Sequence, residues 1–311
     1  MRYRADRRRA WCIAVALTLV TACASSPQAL RPALPPLAFI YFARCIFVAA
    51  TIHGERALLL LDTGASRSAI DSSFAAVLGI APTGTGIVEG TAGSIQVRQG
   101  MLRDVAIGSH RLTDLPVTIQ PLDGLLRPEG ERVSGILGSD VLAQFAVTID
   151  FSAREIVFSR SLHPGDARSG AAAGIQFQLD NGIPRLPAVL DDSVVLSLRL
   201  DTGASLFASE DVWINITTPT WRRLQLLDPS LAFVGWLGAS GTGGELRLGY
   251  GRLTRLRVGE VTVPRPYVIV QPEVGYFARP DAIGFLGNNF LERFGAVTID
   301  YPGRRLLLRG H

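Results

Sequence analysis

"LDTGAS" stands at Leu61–Ser66 and again at Leu200–Ser205. Each copy closes an apolar run, "ALLLLDTGASRSAI" in the first case and "LSLRLDTGASLFAS" in the second. Glycine in the third place of Asp-Thr-Gly lets the backbone turn while lying close to another segment. One such tripeptide at the end of a strand reads as an ordinary Asx-type turn. Two in one chain raise a second reading, in which the two aspartates meet.

The sequence around the tripeptide repeats as well. "GTAGSIQVRQGMLRDVAIG" (Gly90–Gly108) lies over "GTGGELRLGYGRLTRLRVG" (Gly241–Gly259), and "GILGSDVLAQFAVTIDFSAREIVF" (Gly135–Phe158) lies over "GFLGNNFLERFGAVTIDYPGRRLLL" (Gly284–Leu308). Asp62 and Asp201 are 139 residues apart, Gly90 and Gly241 151, and Gly135 and Gly284 149. Three blocks in the same order at nearly constant spacing are an internal duplication, and two copies predict two similar lobes. Each copy predicts a strand, a tight turn (His53-Gly54-Glu55; Asp191-Asp192-Ser193) and an apolar strand that runs into Asp-Thr-Gly. A glycine-containing hairpin follows, and then a G-[IF]-L-G strand. Ser139 or Asn288 is read as N-cap of a short helix, and two strands close the unit. The fold class is therefore all-β, with two pseudo-two-fold-related, β-barrel-like lobes and a few short helices. "LAFIYFARCIFVAATI" is read as two buried strands, because Arg44 interrupts it. The second copy carries about a dozen extra residues around Val212–Trp236, read as partly helical or as an extended loop.

The N-terminus reads as an export signal. Five Arg between residues 2 and 9 precede "AWCIAVALTLVTA". "VTAC" resembles the lipobox of bacterial lipoproteins, in which cleavage precedes a cysteine that then carries lipid. An ordinary secretory signal is the alternative. The expected organisation is a signal at 1–22, a Pro- and Ala-rich tether at 23–36, lobes at 37–160 and 175–311, and a loop-like linker at 161–174. The chain has 31 basic and 27 acidic residues. The leader holds five Arg and one Asp, so its removal leaves 26 of each. No nucleic-acid-binding face is expected. With Cys12 in the leader and Cys23 lipidated, only Cys45 remains, read as a buried apolar side chain that forms no disulfide. There is no lysine, which excludes a Walker A loop, a Schiff-base lysine and a Ser–Lys dyad. The four His, at 53, 110, 163 and 311, form no zinc motif, and no metal or cofactor is expected.

Two lobes packed about a pseudo-two-fold axis bring equivalent loops face to face. Carboxylates about 3 Å apart cannot both ionise, so the pair shares a proton and its pKa values split. An acid and a base side by side can activate a water against a carbonyl. In these residues the chain resembles the aspartic peptidases, which carry D-[TS]-G after an apolar strand in each half. The short lobes, "DTGA" and the G-x-L-G strands resemble the retropepsin-like branch, and the two-lobed single chain resembles pepsin. The resemblance covers about residues 40–160 and 175–308 and implies the bilobal acid-protease fold. It makes Asp62 and Asp201 the catalytic pair. It makes Thr63 and Thr202 partners in cross-lobe hydrogen bonds, and Gly64 and Gly203 donors of amides to the carboxylates. Gly90, Thr91, Ala92 and Gly93 become a substrate flap, with Gly241, Thr242, Gly243 and Gly244 as its mate. The chain departs from pepsin in having no Tyr or Trp in either flap, and Ala65 and Ala204 where pepsin-like enzymes carry a hydroxyl.

The function expected from this reading is an aspartic endopeptidase of a bacterial cell envelope. It would be lipid-anchored through Cys23 on the periplasmic face of the outer membrane, monomeric, and would act on an extended peptide or protein substrate in the interlobe cleft. The competing expectation is a catalytically silent, peptide-binding lipoprotein on the same fold. Widely separated carboxylates, or a cleft filled by the Ile214–Trp236 insertion, would mark the second. A third keeps the catalysis but exchanges lobes between two chains.

Overall fold

The computed structural model describes residues 35–125, 127–160, 162, 172–204 and 211–310. The expected leader, Cys23, most of the tether, most of the linker and Ser205 lie outside the described residues. The fold is all-β and bilobal, with strands in two large sheets and few, short helices.

The apolar run before each Asp-Thr-Gly is the second arm of a hairpin. Cys45–Ile52 pairs antiparallel with Glu55–Leu61, and Ile183–Leu190 pairs with Val194–Leu200. His53 and Gly54 both have positive φ (51° and 84°), as do Asp191 and Asp192 (44° and 54°). That left-handed pair matches the right-handed twist of the strands it joins. In each lobe a short strand from the G-x-L-G block lies parallel to the aspartate-bearing strand. Gly135–Leu137 pairs with Glu55–Leu61, and Phe285–Leu286 pairs with Val194–Leu200. Asp62 and Asp201 therefore leave the sheet at the same point of two equivalent motifs, with Asp62 N donating to Leu137 O and Asp201 N to Leu286 O.

The lobes share a sheet. Its order is Ala172–Gln176, Arg305–Arg309, Ala296–Asp300, Ala146–Asp150, Glu155–Ser159 and Leu37–Phe42, all antiparallel. The two "VTID" strands meet in the middle, where Thr148 pairs with Thr298 and their hydroxyls lie 2.9 Å apart. The two residues are equivalents in the repeat, so the pseudo-two-fold axis passes between them. One apolar core runs through both halves, from Phe39 to Leu308.

Three expectations are adjusted. "LAFIYFARCIFVAATI" does form two strands, Leu37–Phe42 and Cys45–Ile52, turning at Ala43 and Arg44 with positive φ, but Ile40 is 39% exposed and only the second strand is mostly buried. The strand Ala172–Gln176 begins inside the segment read as a loop, because it completes the edge of the shared sheet. The caps of the short helices Ser139–Leu142 and Asn288–Leu291 are Gly138 and Gly287. Ser139 and Asn288 are the first helical residues and their side chains are turned to another task. The insertion forms the strand Trp213–Thr217 and the helix Thr218–Leu227. Thr217 caps that helix through Thr220 N, and Trp221 and Leu224 anchor it in the core.

Candidate active site

The two Asp-Thr-Gly loops are tied together by their threonines. Thr63 Oγ1 donates to Leu200 O at 2.7 Å and accepts from Thr202 N at 3.1 Å. Thr202 Oγ1 donates to Leu61 O at 2.8 Å and accepts from Thr63 N at 3.0 Å. Both threonines are essentially inaccessible, at 1% and 0% exposure, so all four bonds are made out of water. A hydroxyl that donates to one backbone group and accepts from another is what this junction requires, and a serine or threonine alone supplies it at that size.

The grip sets the aspartates against each other. Their side chains are in hydrogen-bonding contact. A methyl built on Gly64 would fall 2.5 Å from Asp201 Cγ, and one built on Gly203 would collide with the Asp62 carboxyl in the same way. This close approach, and no left-handed φ, is why glycine occupies both positions. Each carboxyl takes two amides of its own loop on Oδ1. Gly64 N and Ala65 N reach Asp62 at 2.8 and 3.0 Å, and Gly203 N and Ala204 N reach Asp201 at 3.0 and 2.9 Å.

Burial raises the pKa of Asp62, against the pull of those amides. Burial, and then the charge of Asp62, push Asp201 up to about 8. Both carboxyls are thus pushed toward their protonated forms. The amides favour charge on each inner oxygen, while contact between the carboxyls forbids two charges. The arrangement offers one acid and one base at a single point.

Further residues support the loops. Ser139 Oγ donates to Thr63 O at 2.9 Å, and Asn288 Nδ2 donates to Thr202 O at 2.8 Å and to Arg44 O at 2.7 Å. Cys45, buried as expected, places Sγ 3.4 Å from Gly203 O. Sequence reasoning gave Ser139 and Asn288 the wrong task; their place directly after each G-x-L-G was the signal for their true one. It also credited the glycine amides but overlooked those of Ala65 and Ala204, whose position three residues after Asp62 and Asp201 is that of an Asx turn.

Gly84–Glu89 and Ser94–Leu102 form a hairpin whose tip is Gly90–Gly93, and Gly235–Gly241 and Gly244–Arg252 form another with Thr242 and Gly243 at the tip. The tips meet: Ala92 N donates to Thr242 O at 3.1 Å, and a Cβ on Gly93 would lie 3.3 Å from Gly243 O. Gly90 also accepts a 2.9 Å bond from Tyr276 N. The tips contain no aromatic residue, but Tyr276 of the second lobe brings one beside them. Among the described residues no group of three His, Cys, Asp or Glu is arranged to hold a metal.

No curated protein matches the chain. Residues 48–141, a stretch that holds Asp62, the first hairpin and the Gly135–Leu137 strand, match the family model described as aspartyl protease, so this part of the chain is aspartic-peptidase-like.

Proposed function

We propose that the chain is an aspartic endopeptidase whose catalytic pair is Asp62 and Asp201. The observation that carries the reading is the contact between the two carboxyls, each amide-bonded on its inner oxygen and each partly buried. The ionised member takes a proton from water as its oxygen attacks the scissile carbonyl carbon. The protonated member gives its proton to the carbonyl oxygen. Collapse of the resulting diol breaks the C–N bond, and the amine leaves with a proton returned from the pair. Neither aspartate forms a covalent bond to substrate. The hairpin tips part to admit an extended peptide and close over it as flaps.

The contact between the carboxyls argues against a silent peptide-binding module, as does the helix Thr218–Leu227, which packs on strands Trp213–Thr217 and Tyr267–Gln271. The location of the enzyme is part of the same proposal: Cys23 in "VTAC" carries a lipid and holds a monomer to the bacterial envelope. No helix among the described residues is long and apolar enough to cross a membrane.

The test is cleavage of a peptide library by the wild type and by Asp62→Asn and Asp201→Asn. Each variant is expected to lose at least about a thousandfold in kcat while keeping its far-ultraviolet circular dichroism, since each removes either the acid or the base. Cleavage near the wild-type rate by a folded single variant would remove the dyad from the mechanism.

A further inference from the structure

The pseudo-symmetry that pairs the aspartates fails two residues before them. Side chains alternate along a strand, so Leu60 shares a sheet face with Asp62, and Arg199 shares one with Asp201. In the first lobe the cross-strand partner of Leu60 is Phe47, and both lie in a buried apolar cluster with Leu58, Leu122 and Val133. In the second lobe the partner of Arg199 is Arg185, and Ser197 stands where Leu58 does. Two guanidinium groups thus occupy directly opposed positions on a face that the repeat elsewhere makes apolar. Like charges so placed destabilise a sheet.

One of these arginines has a carboxylate partner and the other has none among the described residues. Arg199 Nη2 donates to Asp180 Oδ2 at 2.7 Å. Arg185 has no ion pair among the described residues, and the Nε atoms of both arginines are buried without a hydrogen-bond partner. The other charges nearby, Arg279, Asp281 and Glu89, pair with one another. Arg199 also lies beside the residue that contacts the flap. Its guanidinium is 4.2 Å from the ring of Tyr276, the residue whose N–H holds the flap at Gly90.

We propose that Arg185 and Arg199 take a carboxylate of the substrate on the side of Asp201. The inference rests on the peptidase reading and names its substrate class: peptides with Asp or Glu, or a C-terminal carboxylate, next to the scissile bond on one side only. The guanidinium of Arg185, which has no carboxylate partner among the described residues, and the stacked, pre-oriented guanidinium of Arg199 suit carboxylate recognition.

The experiment measures binding of uncleavable statine-type peptides by fluorescence anisotropy. The set carries Glu, Gln or Lys flanking the statine and an amidated C-terminus, with one further peptide that has Gln and a free C-terminal carboxylate. The Glu peptide is expected to bind the wild type about tenfold tighter than the Gln peptide, the size of a charge-assisted hydrogen bond gained. Arg199→Leu, which installs the first lobe's own residue, and Arg185→Leu are each expected to reduce that ratio below about twofold while changing affinity for the Gln peptide little. Tighter binding of the free-carboxylate peptide alone assigns the site to a chain end. Equal binding of all carboxylate and amide peptides by the wild type, or a Glu preference that survives both substitutions, overturns the inference. Cleavable versions of the same peptides, run in parallel, separate the two claims. A Glu preference without hydrolysis removes the peptidase reading and keeps this one, and hydrolysis without a Glu preference does the reverse.

Discussion

At Asp201 the energetic cost of the site can be read as a pH dependence. Its carboxyl holds its proton up to about 8 in the folded chain, against an ordinary value of 3.8. The native state then binds more protons than the unfolded state between those limits, so stability is greatest at the acid end and falls as pH rises through the window. The sign is opposite to that of a salt-bridged carboxylate, and the cause is burial followed by the neighbouring charge of Asp62. Asp201→Asn keeps an acceptor for the Gly203 and Ala204 amides but cannot ionise. Its melting temperature is expected to decline less than the wild type's between about pH 4 and pH 8, and to exceed it at the upper end. A parallel decline in both proteins, followed by calorimetry, would place the strain elsewhere. The same proton sets the activity: kcat/KM is expected to fall on an alkaline limb near pH 8, where the pair loses its acid. Gly64→Ala tests the closeness directly. Its methyl would meet the Asp201 carboxyl at 2.5 Å, so hydrolysis should be lost even though both aspartates remain.

Between elements, two Asp-Thr-Gly loops become one site through the threonine grip. Thr63→Val keeps shape but removes a hydroxyl that serves two buried backbone groups, Leu200 O and Thr202 N. Leaving both unpaired is expected to cost about 2–4 kcal/mol, measured by urea unfolding. This level shows what the sequence could and could not convey. The hairpins into Asp62 and Asp201, the Gly-tipped hairpins at 90–93 and 241–244, and the G-x-L-G strands were all legible, because each is written in local pattern and confirmed by its copy. The fate of Ser139 and Asn288 was not, because cap or crosslink depends on what lies beyond the helix, and here that is the carbonyl of Thr63 or Thr202. Tyr276 was hidden for the same reason, being brought to the first flap by the opposite lobe. Arg199 was in plain view: "LRLD" against "LLLD" breaks the repeat at the position that alternation turns toward the aspartate.

Across the whole molecule, the lobes are joined through a shared sheet. Ala146–Asp150 and Ala296–Asp300 pair through the axis at Thr148 and Thr298, and the core on either side is continuous. Neither half can lose its pairing without exposing the other's central strand, so the two are expected to unfold together. The placement of tryptophan makes this measurable. Trp213, Trp221 and Trp236 all lie in the second half, and Trp11 falls in the expected leader. Fluorescence of the protein without that leader therefore reports on the second lobe alone, while circular dichroism reports on both. Leu137→Ala places a cavity in the first lobe at a side chain 1% exposed, with an expected cost of about 2–5 kcal/mol. If the lobes are one cooperative unit, the urea midpoint seen by tryptophan should shift by as much as that seen by circular dichroism, although no tryptophan is near the substitution. A shift in the dichroism with the tryptophan transition left in place would show two units that unfold separately. The aspartate pair, which needs both lobes at once, would then be lost in the weaker one's transition.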